Sequence, residues 1–273
     1  MSAEPVPPTA VPPFDVSRLA GVTLAEVVDQ AARLTRVDRK YLVDRGTAEQ
    51  MLVRVPGSFR VLTIDGRTST GYRSTYFDTE DLATCRAHVQ RRRRRWKARS
   101  RLYVEDGLCR VEVKTKDGRG STVKQVADID AHRYGRLDEQ ARAFIATVLT
   151  EQGIVADAGE LAPSMEVSYR RTTLADTAAG ERVTLDWDMR CTLDGDRVWL
   201  DDSCVLVETK GGLRPSPVDR ALLDLGVRPR SFSKYVAAAS LLREDIPDND
   251  VRQLHGRLLH SARLIPTEER TSA

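Results

Sequence analysis

"RWKARSRLYVEDGLCRVEVKTK", residues 95–116, carries a charge at nearly every second position. Side chains two apart on an extended strand lie on one face. The first half therefore gathers Arg95, Lys97, Arg99, Arg101 and Tyr103 on one side. The second gathers Arg110, Glu112, Lys114 and Lys116 opposite Val111 and Val113, and Glu105-Asp106-Gly107 between them is a hairpin signal. The preceding run, Arg91 to Arg94, looks like a nucleic-acid tract, but a disordered basic arm does not keep a period of two past Trp96. That run reads either as a solvated turn or as a basic collar at an entrance.

The same alternation recurs along the chain. Residues 35–43 place Arg36, Asp38 and Lys40 together, and residues 181–189 place Arg182, Thr184, Asp186 and Asp188 opposite Val183, Leu185, Trp187 and Met189. "VLVETK" (205–210) sets Glu208 and Lys210 against Val205, Val207 and Thr209. A half-solvated antiparallel sheet explains any one such strand. Across several strands the dominance of cations over Ser, Thr, Asn and Gln points elsewhere. If the charged faces converge, each buried cation costs several kcal/mol unless it is paired. Neighbouring carboxylates offset part of that cost, and a bound polyanion the rest. Guanidinium forks and lysine point charges suit phosphate oxygens. Mg²⁺ or Mn²⁺ needs only one or two carboxylates beside them.

About eight strands in two groups, separated by a helix over 137–153 and without βαβ alternation, predict an α+β fold built on an antiparallel sheet or barrel. Further helices are expected near 24–34, 46–55 and 80–90, at "SPVDRALLDLG" and at "SFSKYVAAASLLRE". The expected organisation is a proline-rich disordered leader over 1–20, one domain over 21–245 and a helical, polar tail over 246–273. Among 273 residues, 43 basic side chains nearly balance 40 acidic ones, giving a net charge of only +3. That excludes a general polyanion-coating protein and makes the placement of charge the informative quantity. Four scattered cysteines read as buried thiols in a reducing compartment. With no apolar run long enough for a membrane helix and no secretory signal, a cytoplasmic location is expected.

Taken in order, "RVDRKYLV" (36–43), "YFDTEDLATCRAHV" (76–89), "RWKARSRLY" (95–103), "VEVKTK" (111–116), "VSYRRT" (167–172), "ERVTLDWDM" (181–189), "VLVETK" (205–210) and "SFSKY" (231–235) carry a resemblance. Over residues 33–243 the chain resembles the catalytic domain of the vacuolar transporter chaperone (VTC) complex, the polyphosphate-polymerase branch of the triphosphate tunnel metalloenzymes. The resemblance implies an eight-stranded antiparallel tunnel that moves the γ-phosphoryl group of ATP onto inorganic polyphosphate. It implies phosphate-gripping catalytic roles for Arg99, Arg101, Lys114, Arg171, Arg182 and Lys234. Lys40, Lys97, Lys116, Lys124, Lys210 and Ser233 would bind the nucleotide or chain. Glu208, with Asp186 or Asp188, would hold Mn²⁺ or Mg²⁺.

The opening strand departs from the wider superfamily, with R-x-D-x-K where E-x-E-x-K is usual, so a paired-glutamate metal site is not expected there. Ser231, preceded by Arg230, stands where a basic residue often precedes the last Phe, and Cys85 stands where a Tyr is common. Phosphoryl transfer asks little of a protein beyond positioning and charge neutralisation, and the nucleophile would be a terminal phosphate oxygen. Two other functions stay open: a metal-dependent tripolyphosphatase or nucleoside triphosphatase, and a non-catalytic polyphosphate- or nucleic-acid-binding module. Asp186, Asp188 and Glu112 read equally as structural partners of lysine and arginine, and Ser233 as a helix cap. ATP and polyphosphate are the expected partners. No nucleic acid is expected, and a membrane-protein partner and the oligomeric state are left open.

Overall fold

The computed structural model describes residues 11–31, 37–118 and 122–264. In chain order the strands and helices begin with β1 (Gly21–Val22), α1 (Leu24–Ala31), β2 (Val37–Asp44), α2 (Arg45–Arg54), β3 (Arg60–Leu62), β4 (Thr70–Asp78) and α3 (Ala83–Val89). The central part holds β5 (Arg95–Tyr103), β6 (Leu108–Lys116), β7 (Thr122–Ile129), α4 (Glu139–Glu151), β8 (Ala162–Asp176) and β9 (Glu181–Leu193). The chain continues through β10 (Asp196–Leu200), β11 (Cys204–Gly211), α5 (Pro217–Asp224), α6 (Lys234–Leu242) and β12 (Leu259–Ala262). Arg36, expected on the inner face of β2, lies outside the described residues, as do residues 1–10 and 265–273.

Eight strands run antiparallel in the order β2-β11-β9-β8-β4-β5-β6-β7. They form a barrel-like tunnel in which, among the described residues, no ladder joins β7 to β2. The expected hairpin sets Arg95 opposite Lys116, Lys97 opposite Lys114 and Arg99 opposite Glu112. This register puts the charged residues of β5 and β6 on one face. Their other face, Trp96, Ala98, Val111 and Val113, is covered by Ile145, Val148 and Leu149 of α4. Asp138 starts that helix by accepting the Ala141 amide at 2.9 Å.

Across the barrel, the apolar faces of β2, β9 and β11 pack under α2 and α5 through Tyr41, Val43, Val183, Leu185, Val205 and Val207. A capping box of Ser216 and Asp219, with Pro217 in the first turn, starts α5. The fully buried Asp219 also accepts from Tyr41 at 2.7 Å and Thr209 at 2.6 Å, which fixes α5 to the two strands carrying Lys40 and Glu208.

The inner face is divided. In one part, Met165, Val167, Tyr169, Met189, Cys191 and Leu206 are apolar or aromatic and pack against Tyr235, Ala237, Ala238 and Leu242 of α6. Each such aliphatic side chain contributes roughly 1.5–3 kcal/mol through burial. The rest of the inner face is charged. The division depends on a β-bulge between β8 and β9, where the register slips between Ser168 and Arg170 and Asp188 adopts a left-handed φ of 50°. The bulge corrects the expected alternation: Val183, Leu185 and Trp187 face the outer core, whereas Met189 and Cys191 join the inner one.

Residues 246–264, expected to be helical and polar, contain one 3-10 turn at Arg252–Leu254 and then β12, which pairs with β10. Ile246, Val251, Leu254 and Leu259 are buried in the inner core. Phe14 and Val16 of the expected leader are buried beneath α2 and α5. All four cysteines are free and buried. Among the described residues, no helix is long and apolar enough to cross a membrane.

Candidate functional site: a tunnel lined by shared ion pairs

Three buried or nearly buried carboxylates organise the charged part of the lumen, and each is shared by more than one cation. Glu112 of β6, only 2% exposed, accepts from Arg99 Nε at 2.7 Å and Nη2 at 2.5 Å, and from Lys124 Nζ at 2.6 Å. Arg101 approaches the same carboxylate at 4.0 Å. Asp186 of β9, 1% exposed, is held bidentately by Arg171 at 2.5 and 2.7 Å and receives Lys234 from the start of α6. Glu208 of β11 pairs with Lys210 at 2.9 Å and with Lys40 at 3.4 Å.

These pairings have electrostatic consequences. Burial opposes ionisation of Glu112, but Arg101, Arg99 and Lys124 together hold its carboxyl well below the usual range. Burial likewise opposes ionisation of Glu208, and Lys210 and Lys40 overcome it. The lysines bear the converse strain. Burial, then the charges of Lys114, Lys40 and Arg99, brings Lys97 down to about 7. Burial lowers Lys124 and Lys210 to about 8 despite their carboxylate partners, and it also lowers Lys114. The side chains of the tunnel thus carry more positive charge than its carboxylates neutralise.

The remaining expected residues fall around this cluster. Lys97 donates to Ser233 Oγ at 2.9 Å. Ser233 occupies the N-cap position of α6 without making a side-chain cap, so its hydroxyl serves the lumen. Lys114 reaches across to Asp38 at 4.0 Å. Arg182 lies opposite Lys210 in the β9–β11 ladder. Lys116, with Asp38, Arg39, Lys40, Arg95 and the 229–232 segment, lines a pocket of about 450 Å³ at one mouth. Asp188 is separated from this group: it sits in the bulge and pairs with Arg190 at 3.0 Å.

An aromatic floor escaped the sequence reading. Tyr72 and Tyr169 stack at 5.1 Å and 2°, beneath the guanidinium of Arg171 at 5.3 and 5.2 Å. Arg101 also lies over Tyr72, and Lys234 sits 4.3 Å from the Tyr169 centroid. Burial would raise the Tyr169 phenol, but Arg101, Arg171 and Lys234 draw it below its ordinary value. Tyr76 receives Arg99 at 2.8 Å and stacks on Tyr235. The signal was present in "TGYRSTYFDT", where Tyr72, Ser74 and Tyr76 alternate, and in Tyr169 two residues before Arg171. Asp78 of the same stretch accepts from Thr84, Cys85 and, at 2.6 Å, Tyr235, tying α3 and α6 to β4.

Among the described residues, no three His, Cys, Asp or Glu side chains cluster as a metal cage. Asp186 has both oxygens engaged by Arg171 and Lys234 and is 1% exposed, whereas Glu208, paired with Lys210 and more loosely with Lys40, keeps 12% exposure. This donor set fits a hard divalent cation that takes one carboxylate and completes its shell with phosphate oxygens.

Several solved structures share similarity with this chain at low identity. A candidate adenylate cyclase from Bacillus halodurans is 12% identical, with a TM-score of 0.44 over 73% of this chain and 96% of that one. The candidate adenylyl cyclase HpAC1 from Hippeastrum, described as having a dominant triphosphatase activity, is 16% identical, with a TM-score of 0.43 over 74% and 94%. The PH1819 protein of Pyrococcus horikoshii OT3 is 13% identical, with a TM-score of 0.38 over 73% and 94%. No curated protein matches the chain. The VTC domain matches residues 35–243, which span the tunnel strands from β2 to β11 together with α6, and the chain belongs to the VTC-domain family.

Proposed function

We propose that this chain is an ATP-dependent polyphosphate polymerase. The observation that carries the reading is the sharing of Glu112, Asp186 and Glu208 among a larger set of lysines and arginines. Such a lumen is preformed for a chain of phosphates. A polyanion entering it relieves the excess charge without any rearrangement of the strands. Arg99, Arg101 and Lys124 grip one stretch of phosphate, and Arg171, Lys234 and Lys97 another.

In the reaction, a terminal oxygen of the polyphosphate chain attacks the γ-phosphorus of ATP. A new P–O bond forms, the bond to the β–γ bridging oxygen breaks, and ADP leaves with the electron pair. Arg171 is fixed in orientation by Asp186 and by the Tyr72–Tyr169 stack, so its free guanidinium edge stays aimed at phosphate without reorganising. Lys234 and the Lys97–Ser233 pair supply donors from the start of α6. Glu208 would hold Mg²⁺ or Mn²⁺, which when bound neutralises charge on the phosphate oxygens. The free, buried cysteines agree with a reducing compartment such as the cytoplasm.

The test is to incubate the purified protein with ATP and Mn²⁺ and stain a gel for long polyphosphate. Polymer together with ADP supports the polymerase. Free phosphate without polymer assigns a triphosphatase, and no turnover with any metal leaves a binding module. Glu208→Gln should weaken the dependence on metal concentration more than the affinity for polyphosphate.

A further inference from the structure

The arginine run before β5 is held against the tunnel mouth. The α3 helix ends with the amides of Arg91 and Arg92 donating to His88 and Ala87 carbonyls at 3.1 and 3.0 Å. Arg91 then turns through a left-handed φ of 53°. Non-glycine residues adopt that conformation at a cost of roughly 1–2 kcal/mol, so the turn is imposed by its surroundings. Arg91 pairs with Asp250 at 3.0 Å and Arg92 with Gln90 at 2.8 Å. Arg93 and Arg94 are exposed and, among the described residues, make no side-chain hydrogen bond or ion pair. Arg95 donates to the Arg92 carbonyl at 2.6 Å and leaves its Nε buried without a partner.

Arg95 also lines the mouth pocket, beside Lys116 and Arg230. The cationic surface is therefore continuous from the lumen to the outside at this end of the β5–β6 hairpin. The turn end of the same hairpin differs, because its cations are matched there: Arg67 with Asp106 at 2.7 Å, Arg170 with Glu105 at 2.8 Å and Arg110 with Asp128 at 2.6 Å.

We infer that Arg93, Arg94 and Arg95, with Lys116 and Arg230, form an external track that holds the polyphosphate chain where it passes the tunnel mouth. This rests on the proposed polyphosphate reading and adds a second binding segment outside the tunnel. From Arg93 to Arg95 the backbone of the track spans at most about 7 Å. A short phosphate chain seated in the lumen does not reach it, while a long chain engages both segments.

The experiment compares the parent with Arg93→Ala/Arg94→Ala for tripolyphosphate and for long-chain polyphosphate across a salt series. The expected result is unchanged affinity for tripolyphosphate and an unchanged thermal melt. Long-chain affinity falls about tenfold at low salt, with a log–log salt slope shallower by about 1.4. Equal long-chain affinity and slope in parent and variant overturn the track while leaving the tunnel reading intact. If the parent binds neither phosphate chain, the functional reading fails and the track with it. If only binding to anionic lipid vesicles is lost in the variant, the run belongs to a membrane-surface contact and the proposal is wrong.

Discussion

Glutamine at position 112 would keep the volume of the glutamate and remove its charge, which isolates the electrostatic role of the carboxylate. Glu112 is 2% exposed and faces Arg99, Arg101 and Lys124. Removing one partner of a buried ion pair costs about 3–5 kcal/mol, because the remaining charge stays desolvated. Lys124 is 43% exposed and can turn to water, so the uncompensated charge is mainly that of the two arginines. The lower figure, about 3 kcal/mol, therefore applies. For a chain of this size that loss lowers the melting temperature by about 5 °C.

The same variant should respond more strongly to a polyanion. A ligand that binds only the folded state stabilises by about 2.7 kcal/mol at a hundred times its Kd. In Glu112→Gln the phosphate no longer competes with a carboxylate for Arg99 and Arg101, so its Kd tightens and the thermal shift grows. Differential scanning fluorimetry with and without tripolyphosphate, at low and high salt, measures both effects. A variant that melts with the parent, or gains less from tripolyphosphate than the parent does, refutes the shared-carboxylate account of the lumen.

Other consequences are equally direct. Lys234→Met removes one donor at Asp186 but leaves the bidentate Arg171, so turnover should fall about 10²–10³-fold with little change in the melt; a lost fold with retained specific activity would contradict it. Lys97 titrates near 7 when folded but near the ordinary lysine value, about 10.4, when unfolded. The unfolded chain binds the extra proton between those values, so stability rises with pH across that window and is lost again as pH falls through 7. Urea titrations at low and high pH, without added polyphosphate, should show that Lys97→Met stabilises the protein below pH 7 and flattens this rise. Tyr235→Phe deletes the 2.6 Å bond to Asp78, which keeps Thr84 and Cys85 as donors, and should cost about 2 kcal/mol in denaturant titration.

The period of two made much of the lumen legible, because on β5, β6 and β11 the side-chain alternation runs uninterrupted and one register fixes every inward residue. Lys97, Arg99, Glu112, Glu208 and Lys210 face inward for that reason alone. The same rule misplaced Met189 and Asp188. An aspartate that takes a left-handed turn inside a strand leaves no glycine or proline in the sequence to announce it. Nothing in the pattern singles out Tyr72 and Tyr169, since a tyrosine beneath a guanidinium and a tyrosine in a core have the same pattern. Ser233 precedes a helix, and only its 2.9 Å contact with Lys97 distinguishes a lumen hydroxyl from a cap. Strand β12, of which only Leu259 is buried, lay in a polar stretch whose few apolar residues show no clear period.

The bulge at Asp188 gives β9 something like a reading frame. Before it, even-numbered residues such as Asp186 point inward; after it, odd-numbered residues such as Met189 and Cys191 do. Straightening the bulge while keeping that residue would present Arg190 to the apolar underside of α6 and turn Met189 and Cys191 outward. Substitutions that let position 188 keep its left-handed turn leave both halves undisturbed. The charged half and the helix-covered half can therefore diversify separately, provided the bulge between them is kept.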